Sequence, residues 1–232
     1  MRPRALSAMV AGAAALALAA TFAAPANAGS GPTVSHRGVA GPAAAAAAPA
    51  AVCFSSAAAD VGSVTSQNFE TAFDASDTHA AGDFKCPGTI GAFKIKKVSV
   101  IGQYSGSGPA DSVNVTIYNN TSGEPGSVRC SYPNLPYTNG PSFVIALPSA
   151  CRVANGKAYW VEVQANMNLD PAGQWFWEAG TPADFKPADF KNPGDGFGTG
   201  CTVYQNDLYL PDCLGTAGSI DEVIFTITGR AV

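Results

Sequence analysis

Three groups of residues in this chain have types and spacings that could do chemistry. Glu162 and Glu178 form the first, two carboxylates beside aromatics in KAYWVEVQANMNLDPAGQWFWEAG, Lys157 to Gly180. A glycoside hydrolase needs two acids flanking one bond. Acids on the wet side of a sheet are nevertheless ordinary, and that duller use is favoured. His79 is the second, the one histidine of the folded part, in AFDASDTHAAGDF near Asp74, Asp77 and Asp83. A Ser-His-Asp relay would use it, but no G-x-S-x-G elbow accompanies it. The third group is Trp160, Trp175 and Trp177. Exposed indoles stack on sugar rings, and Gln164, Asn166 and Gln174 would add hydrogen bonds. The competing use of tryptophan is packing the core, favoured for Trp175 and Trp177. Trp160 faces away from Tyr159 and Val161, so it is the one expected in water.

Metal chemistry has weaker support. Asp74, Asp77 and Asp83 make an acidic stretch for calcium but lack the D-x-D-x-D-G ligand spacing, and Asn206, Asp207 and Asp212 fit less well. No catalytic residue, metal ligand or cofactor is assigned on these grounds.

The elements that must position these residues read as strands. Tyr159, Val161, Val163, Ala165 and Met167 alternate with Trp160, Glu162, Gln164 and Asn166, the period of a strand with one buried and one wet face. Asn168, Asp170, Pro171 and Gly173 supply turn chemistry before Gln174–Ala179 runs back, so the stretch reads as a hairpin with Glu162 and Glu178 on adjacent strands. Val113, Val115 and Ile117 alternate with Ser112, Asn114 and Thr116. Lys94–Tyr104, Ser127–Tyr132, Ser142–Leu147 (Phe143, Ile145 and Leu147 inward), Cys201–Tyr204 and Glu222–Thr228 (Val223, Phe225 and Ile227 inward) complete eight or nine short strands. Gly180–Gly200 reads as an irregular Pro/Gly-rich loop holding a tandem PADFK duplication, Pro182–Lys186 and Pro187–Lys191.

The two ends of the chain differ in kind. Residues 1–28 carry the parts of a signal peptide: Arg2 and Arg4, an alanine-rich run, and Ala26-Asn27-Ala28 as a cleavage pattern. Residues 29–52 form an Ala/Pro/Gly-rich linker with too little apolar surface to offset ordering entropy. Residues 53–232 form the folded domain. A lipid-attached Cys53 is disfavoured, because Val52 precedes it where a small residue is needed. Removing Arg2 and Arg4 moves 13 cations to 11 against 17 acids, so the net charge goes from −4 to −6. That balance, with no basic run, gives no footprint for nucleic acid or an anionic membrane, and no later segment resembles a membrane anchor.

Cys53, Cys86, Cys130, Cys151, Cys201 and Cys213 are six in number, which in an exported chain points to disulfides. Pairing of sequence neighbours is the simplest of the possible connectivities, and no C-x-x-C or Cys/His cluster suggests a metal. The fold class is therefore all-β: an antiparallel β-sandwich, jelly-roll-like or alternatively immunoglobulin-like, stapled by disulfides.

DSVNVTIYNNTSGEPGSV, YWVEVQANMNLDPAGQWFWE and NPGDGFGTGC together resemble motifs of a family of bacterial secreted β-sandwich domains, over about Ser66–Thr228. The resemblance implies export and an all-β fold and transfers no catalytic residue. The expected function is a secreted, non-catalytic binding or surface-interaction module whose partner is a carbohydrate or an extracellular protein. The alternatives are a polysaccharide hydrolase using Glu162 and Glu178, and a purely structural extracellular protein.

Overall fold

The computed structural model describes residues 49–181, 186–204, 213 and 222–232. The expected signal peptide, nearly all of the linker, and Asn206, Asp207 and Asp212 lie outside the described residues. In chain order the strands are β1 (Ala51–Ser55), β2 (Ala57–Thr65), β3 (Gln67–Asn68), β4 (His79–Lys85), β5 (Ala92–Val100), β6 (Gly102–Tyr104), β7 (Ser112–Thr121) and β8 (Glu124–Leu135). They continue with β9 (Val144–Ala154), β10 (Ala158–Asn166), β11 (Trp175–Thr181), β12 (Asp189–Lys191), β13 (Glu222–Val223) and β14 (Phe225–Ala231). A short 3-10 turn, Thr71–Ser76, joins β3 to β4.

The chain forms an antiparallel β-sandwich in which the strands make three hydrogen-bonded sheets. Their orders are β1-β14-β5-β9, β12-β4-β10-β7-β8, and β13-β11-β2, with β6 also on β11 and β3 pairing parallel to β10. The period-2 pattern sets which face of each strand is buried. Val113, Val115 and Ile117 of β7 are fully buried, as are Ile145 of β9 and Ile227 of β14. Tyr159, Val161, Val163, Ala165 and Met167 of β10 join them in one core cluster.

A chain of aromatic rings runs through that core. Tyr137 packs on Phe143 at 4.4 Å between centroids, Phe143 on Trp175 at 4.7 Å, and Trp175 on Trp177 at 6.1 Å. It continues through Phe225, Phe54 and Phe84 to Tyr159. Both core indoles need a partner for their N–H once they leave water. Trp175 Nε1 donates to the Pro141 carbonyl and Trp177 Nε1 to the Ile224 carbonyl, each at 2.8 Å.

The disulfides join neighbouring cysteines. Cys53–Cys86 ties β1 to the end of β4, Cys130–Cys151 links β8 and β9 across two sheets, and Cys201–Cys213 closes a loop. Each is of a size to add about 2–4 kcal/mol by restricting the unfolded chain.

The tryptophan stretch departs from the hairpin expected of it. β10 and β11 do not pair; they belong to different sheets. Both edges of β10 are taken, by β4 and β7, so the chain must cross to another layer. Gln67, fully buried on β3, holds the crossing: its Nε2 donates to the Met167 and Gly173 carbonyls, and its Oε1 accepts from the Trp175 amide. Two further differences concern short segments. Cys201–Tyr204 is not a strand, and the second PADFK copy supplies the edge strand β12.

Trp177→Ala is expected to cost about 3–5 kcal/mol, the range for deleting a fully buried large aromatic, read as a lower urea midpoint. A variant as stable as wild type would show that the ring chain does not hold the layers together.

Candidate functional site

The face of β10 opposite the core carries Trp160, Glu162, Gln164 and Asn166. Neighbouring strands complete it through register. Glu162 stands opposite Ala81 of β4 and Thr116 of β7, and Ala81 opposite Asp189 of β12. One step along, Trp160 stands between Asp83 and Tyr118. On the other side His79 faces Lys191, while Gln164 faces Asn114. This face was expected to be wet. It is not: Trp160 and Asp83 are fully buried, and Glu162, Gln164 and Asp189 nearly so.

What covers it is the segment after β12. Tyr204 lies on a small apolar cluster of Ala81, Tyr118 and Trp160, edge-on to Tyr118 at 5.8 Å. The path to Tyr204 is fixed locally by the residues of NPGDGFGTGC. Asn192, fully buried, donates from Nδ2 to the Ala75 and Asp77 carbonyls, both at 2.8 Å, and so ties this loop to the 3-10 turn. The Gly196 amide donates to the same Ala75 carbonyl. A Cβ on Gly194 or Gly196 would meet the Ala75 backbone at 2.4 or 2.5 Å, so only glycine fits. Asp195 Oδ1 accepts from the Gly200 amide, and the Asn192 amide donates to the Cys201 carbonyl, closing the loop on itself. Phe197 and Val203 are left in water.

Glu162 is the centre of this site. Its Oε1 accepts from His79 Nδ1 at 3.1 Å, and its Oε2 accepts from the Tyr118 hydroxyl at 2.8 Å and from the Tyr204 hydroxyl. With Nδ1 donating to Glu162, His79 Nε2 lies 3.5 Å from the Gln164 amide nitrogen. Lys191 Nζ stands 4.3 Å above the Tyr204 ring. Burial pushes the Glu162 carboxyl up. The hydrogen bond and charge of His79, then the two phenols, outweigh that and hold it below its ordinary value. Burial, and then the charge of Glu162, push Tyr118 and Tyr204 far above the usual phenol range, so both stay protonated as donors. Burial pulls Lys191 down, opposed by Glu162. Chemically this is an ionised carboxylate with both oxygens engaged.

The other expected site residues are dispersed. Trp175 and Trp177 are core, and Trp160 donates its Nε1 to Asn120 Oδ1 under Tyr204, so the three tryptophans form no exposed platform. The alternation reveals which face a side chain takes, not whether a distant segment will cover that face. Gln164 and Asn166 bond to Asn114 and to the Thr78 carbonyl within an amide cluster that also takes in Ser112, Asn68 and Asn134. Glu178 lies on β11, in a different sheet from Glu162. Asp77 caps the Phe69 amide, Asp74 is exposed, and Asp83 is buried on β4, so the three aspartates do not converge. Among the described residues no group of three His, Cys, Asp or Glu could hold a metal ion. Tyr118, Tyr204 and Lys191 were missed by sequence reasoning. Tyr118 had a signal, a large aromatic on the outward register of β7; Tyr204 had none, because a loop path brings it in.

No protein-family model matches this chain, and no curated protein is significantly similar to it. In this fold the stretches DSVNVTIYNNTSGEPGSV, YWVEVQANMNLDPAGQWFWE and NPGDGFGTGC are β7 with the start of β8, the β10–β11 crossing, and the loop that carries Tyr204 to Glu162.

Because the fold holds Glu162 below its ordinary value, the stability it adds is full above the ordinary carboxylate range. That contribution is lost as pH falls through the lowered folded value. Urea unfolding across that range should show wild type losing stability steadily, with Glu162→Gln less stable at neutral pH and the two converging in acid. Parallel curves for the two proteins would contradict this role.

Proposed function

We propose that the chain is a secreted, non-catalytic β-sandwich that serves as a binding or surface-interaction module outside the cell. The observation that carries this reading is the use made of Glu162. It is a buried carboxylate on the face that the sequence offers for hydrolysis, and its oxygens are spent on His79, Tyr118 and Tyr204. It acts as a fastener for the Asn192–Tyr204 segment. A scaffold whose loops and strand ends are tied down presents a surface with little ordering cost on contact, which suits a binder.

Export is supported by the Ala26-Asn27-Ala28 cleavage pattern and by three disulfides, which persist in oxidising compartments. Among the described residues no helix is long and apolar enough to cross a membrane. The hydrolase alternative needs two carboxylates about one bond, and Glu162 and Glu178 stand in separate sheets. The partner classes favoured are a carbohydrate or an extracellular protein.

The oxidised protein is expected to release no reducing sugar from a broad polysaccharide panel while being retained by a polymer or an extracellular protein in pull-down. Turnover that disappears in Glu162→Gln at unchanged stability would sink the non-catalytic reading.

A further inference from the structure

The folded part is acidic, yet its cations are not spread evenly. Removing Arg2, Arg4 and Arg37 from 13 cations leaves 10 in residues 53–232, against 17 acids, a net charge of −7. Five of those ten, Lys94, Lys96, Lys97, Arg152 and Arg230, lie in the sheet β1-β14-β5-β9. The strand sequences AVCFS, AFKIKKVSV, VIALPSACRVA and FTITGRA contain no acid at all.

Register gathers them on one side. Arg230 is directly opposite Lys94, and Lys94 directly opposite Arg152, so three cations from three strands stand in one row. Phe93, Ile95, Val153 and Ile227, which alternate with them, are buried, so the row faces outward. A bulge between Ile95 and Lys97 leaves Lys96 and Lys97 both exposed, and Lys97 stands opposite Thr228. With strands about 4.8 Å apart the row spans about 10 Å. A concavity of about 330 Å³ opens beside it, lined by Lys96, Lys97, Thr228 and Arg230.

Like charges directly opposite across a sheet are destabilising. Among the described residues none of the five has a carboxylate within 4.0 Å. A chain with a surplus of acid has thus kept this face free of it. Nothing in the described protein offsets the repulsion; an external polyanion would. The outward neighbours are hydroxyls and small groups, including Ser99, Thr228 and the hydrogen-bonded pair Ser55 and Thr226. Hydroxyls suit sugar oxygens. The strands present no outward aromatic for base stacking or for insertion into a bilayer.

We propose that the outer face of the β1-β14-β5-β9 sheet docks an acidic polysaccharide, a linear chain bearing carboxylates or sulfates that lies along the Arg230–Lys94–Arg152 row. This rests on the reading of the chain as a binding module and names the face and the ligand class.

The test uses the oxidised protein against immobilised alginate and dextran sulfate, with neutral dextran, single-stranded DNA and phosphatidylglycerol vesicles in parallel. Retention on the two acidic polymers is expected to weaken steadily with salt. Lys94→Gln/Arg152→Gln/Arg230→Gln should lose about tenfold in affinity, with a melting temperature equal to or above wild type because repulsion is relieved. Lys157→Gln/Lys186→Gln, on exposed positions outside this sheet, should bind as wild type does. Equal retention of the triple variant, or equal loss in the double variant, would overturn the assignment of the face. Tighter binding to DNA or vesicles than to either polymer would overturn the ligand class. No retention on any polyanion, with capture of neutral dextran or of a protein, would overturn this proposal while leaving the module reading in place.

Discussion

A carboxylate that leaves water must find donors or lose its charge, and Glu162 has been taken almost wholly out of water. Its partners come from three places: His79 from β4, Tyr118 from β7, and Tyr204 from a loop beyond β12. Two of them are on strands whose positions the sheet sets anyway. The third must be brought in, and the details of Asn192–Tyr204 follow from that need. Asn192 anchors the loop to the 3-10 turn, glycines let it pass close to Ala75, and Cys201–Cys213 closes the next segment. Once Tyr204 is seated, Trp160 is covered as a consequence. Removing one partner from such a cluster costs more than the bond itself, since a buried charge is left short of donors.

β10 links this outer site to the interior. It is paired on both edges and buried on both faces, so it separates two different kinds of packing. Inward lies the aromatic chain from Tyr137 to Tyr159, held by contact area and by two indole hydrogen bonds. Outward lies the polar cluster, held by directional bonds to one charge. The cationic sheet is a third environment, exposed and without internal compensation. Two charged features of the same acidic protein are thus treated oppositely: the acid is enclosed with its donors, while the bases are left facing solvent.

Much of the frame was legible in the residues. The alternation in Ser112–Ile117 and in Tyr159–Met167 identified the buried faces, and Val113, Val115 and Val161 are where it placed them. Cysteine neighbours do pair. What failed depends on segments far apart in the chain. A two-sided burial of β10 cannot be read from period 2, which records only that the faces differ. The Lys157–Gly180 stretch has the turn chemistry of a hairpin, but pairing on both edges of β10 sends the chain to another sheet. The cationic row has no signature in the linear sequence, because Lys94, Arg152 and Arg230 are far apart along the chain and meet only through strand register.

Beyond the anchors at Asn192 and Gly196, the Tyr204 hydroxyl-to-Glu162 contact fastens the far end of the Asn192–Tyr204 loop over the sheet. Hydrogen exchange, resolved by segment, measures that directly in wild type and in Tyr204→Phe, which removes the donor and keeps the ring. Faster exchange confined to Asn192–Tyr204, with the amides of β7 and β10 still protected, is the result that the fastening requires. Identical protection of that loop in both proteins would mean that the anchors at Asn192 and Gly196 hold it without the contact to Glu162.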